Sequence, residues 1–335
     1  MLAERRSARA AGGRLPAALL LAALVLVASP AGAGDVGFVT EQEGESLSIV
    51  DLDAMTVLGS VPIPGKPAGV AATPDGARVF VTSPEAKTLS VLDGRSGALL
   101  RRVPLEGGPL GVAVHPSGAP VFVADWYARH LLVVNPERGA IVARWETGDS
   151  PSGVAVSADG RLVVTADRDS DQVTVFDAAS GAPVARIPVG ARPFGLSFSP
   201  DGRRLYVANV GANSVSVVEV GTWRRLADLS VGSHPYGAAE TRGRIFVTDQ
   251  YGGTVSVLDA ETHARLATLE TGEYPEGIDV SSDGRFVFVA HWFDNTLVKI
   301  DADTLEIVGS LDTGDGPRAF GRFVAPRPAA TGGNP

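Results

Sequence analysis

Short apolar strands broken by polar turns run along most of the chain, and one unit of this pattern recurs at a nearly fixed interval. Each unit opens on a proline, with a glycine expected two residues on and a short apolar strand around it. The prolines are Pro67, Pro109, Pro151, Pro193, Pro235, Pro275 and Pro317, so successive steps are 42 residues except for one of 40. A period in the low forties, rich in strands and turns, predicts a β-propeller with one four-stranded blade per repeat.

The unit of residues 193–232 shows the four strands. Gly195-Leu196-Ser197-Phe198 predicts the first, and Ser199-Pro200-Asp201-Gly202 has the residues of a tight turn. Residues 204–208 predict the second strand, 214–218 the third and 225–231 the fourth. The third alternates Val with Ser, the period of two of a β-strand, and small residues suit blades that are buried on both faces. The 40-residue repeat loses its two residues in the first turn, at Glu240-Thr241-Arg242-Gly243. At the ends, residues 36–64 supply a second, third and fourth strand without a first, and residues 317–324 a first strand alone. Joined, they complete a blade. The expected fold is all-β, a seven-bladed β-propeller of four-stranded antiparallel blades, its ring closed by pairing the N- and C-terminal strands.

Ahead of the repeats stand Arg5, Arg6, Arg9 and Arg14, an apolar run over residues 17–28, and Ala31-Gly32-Ala33. This is the layout of a Sec-type signal peptide over residues 1–33, cleaved near Ala33, with an apolar run short for a membrane span. The propeller is then expected over 34–325, with a disordered Pro-, Gly- and Ala-rich tail over 326–335. The expected location is periplasmic or secreted, with no span in the mature protein. Removing residues 1–33 takes away four arginines and one glutamate. The 29 basic and 38 acidic residues become 25 and 37, so the formal charge moves from −9 to −12. Such a surface is repelled by phosphate backbones and disfavours nucleic acid. The chain has no cysteine, which excludes disulfides, thiol catalysis, Cys-ligated zinc, iron–sulfur clusters and covalently attached c-type haem.

Tyr206-Val207-Ala208-Asn209, followed by Asn213-Ser214-Val215-Ser216-Val217, resembles the YVTN-type β-propeller repeat. Phe38-Val39-Thr40, Phe80-Val81-Thr82 and Phe246-Val247-Thr248 are close variants, and the turns Pro74-Asp75-Gly76, Pro200-Asp201-Gly202 and Ser282-Asp283-Gly284 fit it. The resemblance covers essentially the whole mature chain. It implies an exported bacterial seven-bladed propeller, of a kind that includes binding and assembly propellers, surface-layer proteins and relatives allied to periplasmic redox enzymes. The repeat is also similar to that of propeller lactonases.

In a propeller, the loops joining second to third strands and those linking successive blades emerge on one face. The column just after the second strand reads Glu41, Ser83, Asp125, Asp167, Asn209, Asp249 and His291. A ring of four carboxylates and a histidine can hold a divalent cation; Asp and Asn in such places more commonly cap their own turns. The same face is expected to carry Trp126, Tyr127, Tyr251, Trp292 and Phe293 from the loops, and Phe194, Tyr236 and Tyr274 from the blade linkers, with His234 beside them. Grouped aromatics mark a recognition surface; otherwise they serve as lids over loop backbone. None of the five histidines has metal-ligand spacing. Asp167-Arg168-Asp169-Ser170-Asp171 has the alternating acids of a calcium loop, but Gln172 stands at the glycine position and Ala178 at the terminal glutamate position.

No phosphate loop or nucleophile elbow is found. The leading expectation is a non-catalytic periplasmic propeller that binds a partner protein or small ligand through its aromatic, acid-ringed face, including as an accessory to a redox system. The alternative is an enzyme or enzyme subunit, either a metal-assisted lactonase-like hydrolase or part of an oxidoreductase. No cofactor is predicted beyond a divalent cation on the ring, and nothing in the repeat fixes an oligomeric state.

Overall fold

The computed structural model describes residues 34–328. The expected signal peptide and residues 329–335 lie outside the described residues. Seven sheets form seven blades. The first is built from Asp35–Glu41, Ser46–Asp51 and Thr56–Pro62, and Val324–Pro326 completes it. The other six, starting at Gly69–Ala72 and ending at Ile307–Asp312, each use four consecutive antiparallel strands. In the short repeat, Pro235–Thr241 and Arg244–Asp249 meet through Arg242 and Gly243, both at positive φ. That two-residue turn follows the right-handed twist of its strands, which is why losing two residues leaves the register intact.

The proline-led pattern is a packing rule for the propeller axis. First strands of neighbouring blades run so close that a Cβ on Gly69, Gly111, Gly153, Gly195 or Gly277 would overlap a backbone carbonyl of the next blade. At Gly237 the nearest atom is a side-chain methyl, Ile278 Cγ2, at 3.0 Å. The seventh repeat departs from the expected glycine, since Ala319 follows Pro317 at that position. The threonine of Phe-Val-Thr then stitches blade to blade. Thr40, Thr82 and Thr248 each accept the N–H of Ala319, Gly69 or Gly237 in their own blade (2.9–3.0 Å). Their hydroxyls donate to Ala68, Leu110 and Glu276 carbonyls in the next (2.5–3.0 Å). The aromatic of the same motif is fully buried between blades, as Phe38, Phe80, Tyr206 and Phe246 show.

Closure is more elaborate than one added strand. Pro317 bridges to Glu41 of the first blade, as the equivalent proline does elsewhere. Phe320–Arg322 then leaves to pair in parallel with Gly69–Ala72 of the second blade. The chain returns at Val324–Pro326, antiparallel to Asp35–Gly37. Residues 317–324 are therefore not a single first strand. Positive φ at Ala319 and Gly321 makes the detour, and a Cβ on Gly321 would overlap the Val70 carbonyl. Asp279 of the seventh blade accepts the Val324 N–H (2.8 Å), and burial, opposed by Arg322, pushes its carboxyl up to about 6. Pro326 belongs to the closing strand and Arg327 pairs with Asp51 (2.6 Å), so ordered chain extends beyond the expected boundary at 325.

Candidate functional site

The column after the second strand is buried throughout, from Glu41 to His291. Each charged member is committed within its neighbourhood. Glu41 accepts from Ser46, Ser48 and the Gly314 N–H, and Asp125 from the Gly108 and Tyr127 N–H groups. Asp167 accepts from Thr165, Thr174 and Gln172, and Asp249 from Thr254, Ser256 and the Gly232 N–H. The Ser and Thr of the alternating third strand thus act as anchors for this column. Burial raises the Asp167 and Asp249 carboxyls, against the lowering effect of these donors. It also pushes His291 down to about 4, against Asp294, so its imidazole is neutral at pH 7; Nε2 meets Thr271 Oγ1 at 3.0 Å.

The expected cation ring is accordingly corrected. Among the described residues, no three acidic or histidine side chains come together as a metal site. Glu41, Asp125, Asp167, Asp249 and His291 fasten the incoming blade linkers. Three residues before the proline in five of the repeats, Gly148, Gly190, Gly232, Gly272 and Gly314 leave room for the column, because a Cβ there would meet its side chain, and Gly107 does the same for Asp125.

The predicted aromatics do converge. Trp126, Phe194, His234, Tyr236, Tyr251, Tyr274, Trp292 and Phe293 line one hollow of about 540 Å³. Tyr127 does not: its side chain points outward, 79% exposed. One wall is a continuous strip across the sixth and seventh blades. His234 stacks on Tyr251 at 3.9 Å, Tyr251 on Tyr274 at 5.5 Å, and Tyr274 meets Phe293 at 4.8 Å and Trp292 at 6.1 Å. Tyr251 and Phe293 remain exposed. The other aromatics form a plug on the axis: Phe194 and Tyr236 pack on each other at 4.6 Å, on Phe320 at 5.0 and 5.3 Å, and under Trp126. His234 and Tyr274 stand at positive φ, but so do Lys66, Ser150 and Arg192 before their own prolines; this belongs to the linker turn rather than to the site.

A polar network floors the hollow. Arg318 donates from Nε to the Tyr236 hydroxyl (2.8 Å) and from Nη1 to Gln42 Oε1 (3.2 Å), and faces Glu276 at 3.1 Å. Gln250 donates to Glu276 Oε1 (2.7 Å). Burial raises the Glu276 carboxyl and the Tyr236 hydroxyl, both against the opposing pull of Arg318. Burial disfavours the Arg318 charge, but Tyr236 and Glu276 outweigh it. Burial and the neighbouring Tyr251 push Tyr274 up to about 12, so its hydroxyl is neutral at pH 7. On the opposite side of the plug, a second hollow of about 460 Å³ runs among the first strands, mostly Gly, Ala and Val, with Asp279 and Arg322. Tyr236 and Glu276 border both.

Gln42, Arg168, Val210, Gln250, Glu276 and Arg318 complete the lining and were missed from the sequence. Two repeat columns held the signal. Gln42, Trp126, Arg168, Val210, Gln250 and Trp292 each follow the buried ring column by one residue. Phe194, Tyr236, Glu276 and Arg318 each follow a repeat's proline directly. The aromatic members stand out by type, two of these six and two of these four, whereas Val210 and the polar members do not.

Comparison with known proteins bears on the fold and family. Residues 31–117 and 144–327 match a family profile described as YNCE-like beta-propeller. No curated protein matches the chain in sequence. Among solved structures, it is similar to hydrazine synthase of Kuenenia stuttgartiensis (20% identity, TM-score 0.69, covering 76% of this chain and 89% of that one). It is also similar to a functionally unknown protein from Desulfotomaculum acetoxidans DSM 771 (17%, 0.72, covering 85% and 99%). A third is the dihydro-heme d1 dehydrogenase NirN in complex with DHE (17%, 0.67, covering 88% and 75%). At these identities the likeness is one of fold.

Proposed function

The chain belongs to the YNCE-like β-propeller family, and on that premise we propose that it is an exported, non-catalytic binding protein whose ligand is a small molecule held in the aromatic hollow. The observation that carries this reading is the shape and lining of that hollow. It is concave, about 540 Å³, mostly aromatic, and floored by a buried network of Arg318, Glu276, Gln42 and Gln250. A volume of this size with an apolar wall and a few fixed polar groups suits a small molecule better than a protein surface. The arginine-rich leader followed by an apolar run and Ala31-Gly32-Ala33 supports export. The lactonase-like alternative drew on the carboxylate ring, whose members are engaged one by one in linker turns.

The test compares the mature protein with its Trp126→Ala/Tyr251→Ala/Trp292→Ala variant. Each is heated with the low-molecular-weight fraction of a periplasmic extract of the source organism. Ligand linkage predicts a higher melting temperature for the unaltered protein alone, since binding stabilises the folded state. Equal shifts in both proteins, or a shift produced only by the macromolecular fraction, would overturn the reading.

A further inference from the structure

The polar atoms presented to the hollow are unbalanced in charge. Arg318 engages Nε and Nη1 with Tyr236 and Gln42, but its Nη2 makes no hydrogen bond with a described residue. Nor is that atom among the sealed polar atoms without a partner, so it is not shut off from solvent, and Arg318 lines the hollow. The counter-charge is placed differently. Glu276 is 4% exposed; Oε1 is taken by Gln250, Oε2 is sealed from solvent beside Arg318, and the Tyr236 hydroxyl also engages the carboxylate. A second guanidinium, Arg168, lies 5.5 Å over the Trp126 ring on the lining, and its partner Asp169 stands outside it. Glu276 is the one carboxylate among the lining residues. The hollow therefore offers cationic donors to a ligand while the chain as a whole carries a formal charge of −9.

The walls add a shape requirement. Tyr251, Tyr274, Trp292 and Phe293 form one rank of rings and Trp126 stands with Phe194 in the other. Such surfaces favour a flat apolar body that exchanges water for ring contact. Resting on the small-molecule reading above, we infer that the occupant is a planar organic anion. Its conjugated body lies among the aromatic rings, and its acid group receives the free Nη2 of Arg318. A guanidinium already fixed on two other partners loses little freedom in making that bond, and a charge-assisted bond in a partly dry site is among the stronger ones.

Two fluorescent probes test this, anilinonaphthalene sulfonate and phenylnaphthylamine, which share a ring system and differ in the sulfonate. The unaltered protein should bind the sulfonate about tenfold or more tighter than the neutral probe, a preference that shrinks as ionic strength rises. Arg318→Met should abolish that preference while leaving the neutral probe's affinity within about twofold, the expectation for losing a single charge-assisted contact. Because that variant leaves Glu276 buried without its cation, Arg318→Met/Glu276→Gln removes both charges and should behave alike in a folded protein. Equal affinities for the two probes in the unaltered protein would overturn the anion assignment and leave the small-molecule reading standing. A sulfonate preference that survives in a folded double variant would also overturn it. Failure of both probes to bind, or binding untouched by Trp292→Ala, would overturn both.

Discussion

Ending the chain after Phe323 is expected to destroy the cooperative fold of the ring. Such a chain loses Val324–Pro326, whose pairing with Asp35–Gly37 supplies the first blade's inner strand. It also loses the buried side chains of Val324 and Ala325, the Val324 N–H bond to Asp279, and the Arg327–Asp51 pair. Apolar burial and backbone pairing of this extent are worth about 5 kcal/mol together, at typical values per buried side chain and per hydrogen bond. The consequence exceeds that sum, because Asp35–Gly37 becomes an open edge beside the axis and every blade depends on its neighbours. We expect a melting temperature lower by roughly 10 °C or more, or an insoluble product. Arg327→Ala, which removes only a partly exposed ion pair, should cost about 1 kcal/mol or less. Thermal and urea unfolding of the two variants beside the full chain measures the contrast. An unaltered unfolding curve for the truncated chain would mean that the ring is closed by something other than this strand.

The second large effect is expected at Gly111. Its missing Cβ faces the Ser152 carbonyl of the neighbouring first strand, well inside van der Waals contact. Backbone cannot rotate away as a side chain does, so Gly111→Ala must spread two first strands that are each tied into their blades. A loss of about 3 kcal/mol is expected, at the upper end of overpacking costs. Gly237→Ala provides the control in the same column, because its nearest obstacle is the Ile278 methyl at 3.0 Å, which can shift. Its cost should be about 1 kcal/mol, within the ordinary range for a point change. Urea midpoints for both variants decide the matter, and equal costs would refute the axial-crowding explanation of the repeat.

The architecture was legible because it is written seven times. A proline-led strand, a Phe-Val-Thr strand and a Ser-alternating strand recur with one spacing, and each element has a role that every blade shares. Ring closure was legible only in outline. The detour of Phe320–Arg322 onto the second blade depends on Ala319 and Gly321 adopting positive φ, and on crowding against Val70 that no repeat average contains.

The site divided along the same line. Aromatic residues such as Tyr251 and Trp292 stand out by type, so they were found, whereas Arg318 and Glu276 resemble any surface ion pair until their places beside the repeat's proline are compared. Conversely, the acids at Asp125, Asp167 and Asp249 looked like a ring of ligands because spacing shows equivalence but not direction. Their side chains turn into the linkers, where glycines such as Gly232 make room and third-strand hydroxyls such as Ser256 take up the oxygens. Neighbours in sequence also part company: Trp126 lines the hollow, whereas Tyr127 stays exposed outside its lining.

The measurement that tests the account most directly is a crystal structure of the protein soaked with anilinonaphthalene sulfonate. One molecule is expected in the aromatic hollow, its ring system between Trp126 and the Tyr251–Phe293 rank and its sulfonate on Arg318 Nη2. A probe seated instead in the hollow across the plug, between Asp279 and Arg322, or scattered over the outer strands with the aromatic hollow empty, would contradict it.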